Sequence, residues 1–171
     1  PQTLTWCELQ QGHHVLYGEQ SALSRLGSRS VSDVPASEWG RLLFNRGSGI
    51  LFSIWAHQGR DRTILADETF EEFTTRQVAK AWLSLGDVWL ADRGLYATSV
   101  VAREQAFRAQ AEKPAWADHY LEAIRFKLSP VLTRPSNVLV DELAELSTYY
   151  ARALDLRVAS EFRPLVGLYA T

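Results

Sequence analysis

From Thr74 onward, apolar residues recur at three- and four-residue intervals in four successive runs, a period that strands cannot present to one face. Val78, Trp82, Leu85 and Trp89 share a helical face at 4-3-4 spacing. Thr74-Thr-Arg-Gln77 fits a capping box, with Phe73 and Val78 placed as a hydrophobic staple. Gly94 is expected to end that helix. Ser99 then suits the N-cap of a second, whose Ala102, Ala106 and Ala109 leave a small-residue face beside Phe107. Pro114 suits the first position of a third, carrying Trp116, Tyr120, Ile124 and Leu128. Pro130 and Pro135 mark a break. A fourth helix from about Asn137 turns Leu139, Leu143, Leu146, Tyr150 and Leu154 inward, and the tail Leu165–Tyr169 is apolar enough to dock.

The first 73 residues constrain the fold less. Ser48–His57 is among the most apolar stretches, and its pattern serves two structures equally. As a strand it alternates Ile50, Phe52 and Ile54 against Leu51, Ser53 and Trp55; as a helix it presents Ile50, Leu51, Ile54 and Trp55 as a stripe. Its flanking glycines and its β-branched and aromatic residues favour a hairpin, turning through Gln58–Asp61 into a second strand over Arg62–Ala66. Leu4–Leu9 and His13–Tyr17 read as two further short strands around Gln11 and Gly12. One or two helical turns are expected over Glu19–Leu26, then a loop over Gly27–Pro35. Ser37 would cap a short helix carrying Trp39, Leu42 and Leu43, broken by Gly47 and Gly49. The expected fold class is α+β, mainly helical: a small N-terminal sheet or hairpin, then about four helices. The alternative is all-α. Residues 1–73 form the mixed part and residues 74–171 the helical part of one compact domain.

A chain of 171 residues can bury a core without staples, and its single cysteine, Cys7, forms no internal disulfide. The first residues show no basic segment followed by a long apolar one, and no run is long enough to span a bilayer. A cytoplasmic protein with no membrane contact is the expectation. The net charge of −2 gives no global attraction to nucleic acid.

Few residues carry a chemical signal. His13 and His14 are adjacent and lack convergent ligands, so no metal site is expected. His57, with Asp61 or Asp67 to orient it, is the one candidate general base, but no nucleophile or oxyanion donors accompany it. His119 and Asp118 read as a surface pair, Cys7 as a small core residue. Asp67, Glu68, Glu71 and Glu72 complement the positive end of a helix starting near Thr69. Gly47-Ser-Gly49 has neither phosphate-loop nor dinucleotide spacing, and no cofactor is expected.

The positive signal is basic and aromatic. Arg103, Arg108, Lys113, Arg125, Lys127 and Arg134 are interleaved with Phe107, Trp116, Tyr120 and Phe126. That composition suits a protein interface or base stacking with phosphate contact. The expected function is a non-catalytic binding or accessory subunit using Arg/aromatic helix-face contacts within a larger protein or ribonucleoprotein assembly. Its contact residues would be Arg103, Arg108, Lys113, Trp116, Arg125, Lys127 and Arg134. The alternatives are a hydrolase or nuclease using His57 with nearby acids, and a nucleic-acid-binding regulator. Self-association is compatible with each.

Overall fold

The computed structural model describes residues 3–19, 21, 23, 27, 30–61, 63–131 and 134–166, with side chains of the last helix described as far as 157. Among them are six α-helices and no strand. They are α1 (Leu4–Gly12), α2 (Ala36–His57), α3 (Phe70–Ala91), α4 (Val100–Arg108), α5 (Ala117–Leu128) and α6 (Ser136–Val166), with single 3₁₀ turns at Val31–Asp33 and Thr63–Leu65. The all-α alternative fits, and the expected N-terminal sheet is absent from the described residues.

The physical reasons are partly local and partly contacts between helices. The side chain of Thr3 accepts from Trp6 N and starts α1, which buries Leu4 and Cys7 one turn apart. His13–Tyr17 follows as irregular chain, with Leu16 and Tyr17 in solvent. Ser48–His57 is the C-terminal half of α2, a 22-residue helix that buries Trp39, Leu43, Ile50, Ser53 and Ala56. The two glycines expected to break it are where neighbours come close. A Cβ on Gly47 would lie 3.1 Å from the Tyr150 ring, and one on Gly49 2.5 Å from Gln77 Oε1. Glycine in a helix costs about 1 kcal/mol relative to alanine; here it lets α6 and α3 approach α2. The expected second strand is the 3₁₀ turn, held by Asp61, which accepts from Thr63 N at 2.9 Å. Arg62 of that strand, Leu26 of the expected helical turns and the docking of the tail lie outside the described residues.

The N-cap of α3, Thr69, lies five residues before the expected one, Thr74. Thr69 accepts from Glu72 N at 3.2 Å, and Glu72 accepts from Thr69 N at 3.0 Å. Glu71 and Glu72 thus occupy the first turn, where the helix dipole favours negative charge. Thr69→Ala removes this cap, and chemical denaturation is expected to show a loss of about 1 kcal/mol; Thr74→Ala, inside the helix, leaves the cap intact. Ser99 does cap α4, accepting from Ala102 N. Pro114 precedes α5 by a turn, its carbonyl accepting from Ala117 N.

Helix α3 lies at the centre, packed against α2, α4, α5 and α6. It is buried on nearly every side, including Val78, Ala81, Trp82, Leu85, Val88 and Leu90. Each large apolar side chain buried this way contributes roughly 1.5–3 kcal/mol. One core runs from Leu4 and Cys7 through α3 to Leu143, Leu146 and Tyr150, taking residues from both halves of the chain. Among the described residues no helix is long and apolar enough to cross a membrane.

Candidate functional site

The densest polar cluster is inside the bundle. Asp87, on α3, accepts from Arg103 of α4 at 2.5 Å and from the Tyr120 hydroxyl of α5 at 3.0 Å. Arg103 also donates to Tyr96 Oη at 3.0 Å, and Tyr96 in turn donates to Glu8 of α1. Gly86 makes room for this arrangement, because a Cβ there would fall 2.0 Å from Tyr120 Cδ2. Burial pushes the Asp87 carboxyl up to about 6, with the Arg103 charge and the Tyr120 hydrogen bond pulling against it. Burial alone would lower Arg103, but the facing Asp87 carboxylate carries it above its ordinary value, so its charge is secure. Burial and Asp87 together raise the Tyr96 and Tyr120 phenols, which stay protonated donors. The network joins four helices through satisfied polar groups. Arg103 is 2% exposed and works as a tie between helices.

The other residues singled out by sequence do not share one surface. Phe107, Trp116 and Tyr120 are buried, with the Phe107 ring 4.7 Å from Tyr120 and 6.4 Å from Trp116. Arg108 pairs with Glu104, and Lys113 donates to the Gln110 carbonyl at 2.6 Å. Arg134 pairs with the buried carboxylate of Glu142. Arg125 and Arg134 border a cleft of about 370 Å³ beside Trp82 and His119. Lys127 borders a different one, with Arg46, Arg76 and Lys80.

His119 is not a surface partner of Asp118. Its ring stacks on Trp82, with centroids 4.5 Å apart and planes within 4°, and its Nδ1 lies 3.5 Å from Glu142. Trp82 Nε1 donates to the same carboxylate at 2.8 Å. His57 is the exposed last residue of α2, its ring 5.7 Å from Phe70. The Asp61 carboxylate is engaged with Thr63. Among the described residues no hydrogen bond joins His57 to Asp61 or Asp67. Cys7 is buried, and burial raises its thiol pKa, as does the nearby Glu8 carboxylate, away from the thiolate.

The surface that sequence reasoning missed is the outer face of α2. Phe44, Leu51 and Trp55 are 73%, 59% and 45% exposed, and their i, i+7, i+11 spacing places them on one side of the helix. Phe52 adds its ring beside Trp55, at 6.3 Å between centroids. Between α2 and α6 runs an apolar groove of about 230 Å³, bordered by Phe44, Leu51, Ala151 and Leu154, with Gly47 and Tyr150 along it. The helical period of these residues was the available signal, hidden by the strand assignment. No protein-family model, curated protein or solved structure matches this chain.

Proposed function

We propose that this all-α chain is a non-catalytic binding or accessory subunit that acts through helix-face contacts with a protein partner. The contact surface is the outer face of α2 with the α2–α6 groove, rather than the 103–134 segment. The observation that carries this reading is the stripe of Phe44, Leu51 and Trp55 held in water on one helix. Large apolar side chains gathered on one face are typical of interaction sites, and aromatic anchors dominate interface energetics. The groove offers almost nothing but carbon, so the matching surface is the apolar side of an amphipathic helix.

The rival readings have less support. A hydrolase or nuclease needs His57 oriented by an acid, and Asp61 is committed to Thr63. A nucleic-acid-binding regulator acting through the 103–134 segment needs that segment's cations free on one face, whereas Arg103 and Arg134 are paired. The test is purification from the native source, comparing the natural chain with Phe44→Ser/Leu51→Ser. Both residues are exposed, so the double variant is expected to unfold within about 1 kcal/mol of the parent and to lose its co-purifying protein. A crosslinking side chain at Leu51 should capture that protein, and one at exposed Asp141 should not. Equal recovery with both chains, or capture from Asp141 alone, rules the α2 face out.

A further inference from the structure

A second cleft, of about 370 Å³, is bordered by residues of α2, α3 and the end of α5, above the Asp87–Arg103 pair. Its lining gathers cations from three helices: Arg46 of α2, Arg76 and Lys80 of α3, and Lys127 of α5. Arg46, the Arg76/Lys80 pair and Lys127 are far apart in sequence, and tertiary folding brings the three groups together. Among the described residues only Arg76 of these four forms an ion pair, with Glu68, while the charge of Lys127 acts on Asp87 at longer range. Among the described residues Arg46, Lys80 and Lys127 form no ion pair or hydrogen bond. Counting Arg103, five cationic side chains line the cleft against two carboxylates, Glu8 and Asp87. Both acids are occupied, Glu8 by the Tyr96 hydroxyl and Asp87 by Arg103 and Tyr120.

This excess has an electrostatic consequence. Burial, then the charges of Arg46 and Arg76, lower the pKa of Lys80. Like charges gathered around a concavity repel one another, and an anion placed among them turns that repulsion into attraction. Apart from Ser84, the rest of the lining is apolar or aromatic, with Leu42, Leu83 and Phe126 half-buried in the wall. The volume falls in the range of small-ligand sites, about 300–1,000 Å³.

We propose that this cleft binds a small organic phosphate, its phosphoryl group among Arg46, Arg76 and Lys80 and its apolar or aromatic body against Leu83 and Phe126. Arginine offers paired donors that match phosphate oxygens, and lysine adds a point charge. A bounded cleft in a chain of net charge −2 favours a small anion over a long polyanion. The site is separate from the α2 outer face, and its occupation does not depend on the protein-binding proposal.

The test is titration of the chain with inorganic phosphate, phenyl phosphate, adenosine monophosphate and a single-stranded oligonucleotide, followed by calorimetry and by the backbone amide shifts of Ala79, Leu83 and Ser84. Phenyl phosphate or the mononucleotide is expected to bind at least about tenfold more tightly than inorganic phosphate, because only they fill the apolar wall. Which of the two binds better separates a plain aromatic body from a nucleoside. Affinity should fall with added salt. Arg46→Gln/Lys80→Gln should weaken binding by about tenfold or more, since charge-assisted contacts are lost; Lys113→Gln should leave it unchanged. A second readout separates binding from folding. Lys80→Gln relieves like-charge crowding, so the ligand-free variant should melt no lower than the parent while binding more weakly. Absence of shifts and heat at millimolar phosphate ester overturns the proposal. So does binding that survives the double substitution, or binding of the oligonucleotide alone.

Discussion

Replacing Gly86 by alanine is expected to move the urea unfolding midpoint sharply downward, by the equivalent of about 3 kcal/mol or more. On helix propensity alone the change should stabilise, by about 1 kcal/mol, because glycine is the poorer helix former. Packing decides the sign. The added Cβ would meet Tyr120 Cδ2, Cε2 and Cγ at 2.0–2.5 Å. This is one edge of an aromatic ring, not the mobile end of a side chain. The ring cannot turn aside freely: Tyr120 is fully buried, contacts Phe107 at 4.7 Å between centroids, and donates to Asp87. Either α5 moves away from α3 or the Tyr120–Asp87 hydrogen bond breaks. Tyr120→Leu in the same background separates the two effects: if the ring is the obstacle, Gly86→Ala costs much less once the ring is gone. A Gly86→Ala chain as stable as its parent would mean that α5 shifts at no cost, and the close α3–α5 approach would then have no energetic meaning.

The same glycine illustrates what the sequence made legible. The helices after Thr74 were visible because their apolar residues recur at i, i+3 and i+4, a local signal that needs no knowledge of partners. Their starts were less so, since Thr69-Phe-Glu-Glu72 and Thr74-Thr-Arg-Gln77 satisfy the same capping rule. The earlier one prevails, adding a turn and setting two acids at the positive end. Ser48–His57 satisfies both periods, and its flanking glycines together with its β-branched and aromatic residues favour the strand. The helical role of Gly47 and Gly49 depends on Tyr150 and Gln77, which are distant in sequence. Asp87 carried no local mark, because its partners lie 16 and 33 residues away. Arg103 looked like one of several surface cations for the same reason. The exposed stripe on α2 follows from helix geometry as soon as the strand assignment is dropped.

Removing the cation from the buried pair should have the other large effect. Arg103→Met keeps much of the side-chain volume and leaves the Asp87 carboxylate buried without its charge partner, a change expected to cost about 3–5 kcal/mol near neutral pH. The penalty should depend on pH in a fixed direction. Asp87 already sits near 6 in the folded chain against an ordinary 3.8, because burial outweighs the attraction of Arg103. A carboxyl raised by folding gives its full contribution below its unfolded pKa and loses it as pH rises through the folded one. Losing Arg103 raises the folded value further. The variant should therefore be weakest at pH 8 and recover part of its deficit by pH 5, roughly 1–3 kcal/mol, as Asp87 takes up a proton. The half-buried acids Asp61, Glu71 and Glu72 run the other way. Hydrogen bonds from Thr63, Ser136 and Thr69 hold their pKa values low, and their contributions fade only as pH falls below the ordinary carboxylate range. Asp87→Asn supplies the control: it keeps an acceptor for Tyr120 and has no proton to gain. In that background, Arg103→Met should cost the same at pH 5 and pH 8. If Arg103→Met costs the same at both pH values in the natural background too, the loss comes from packing and the Tyr96 hydrogen bond, and the buried carboxylate is not what Arg103 stabilises.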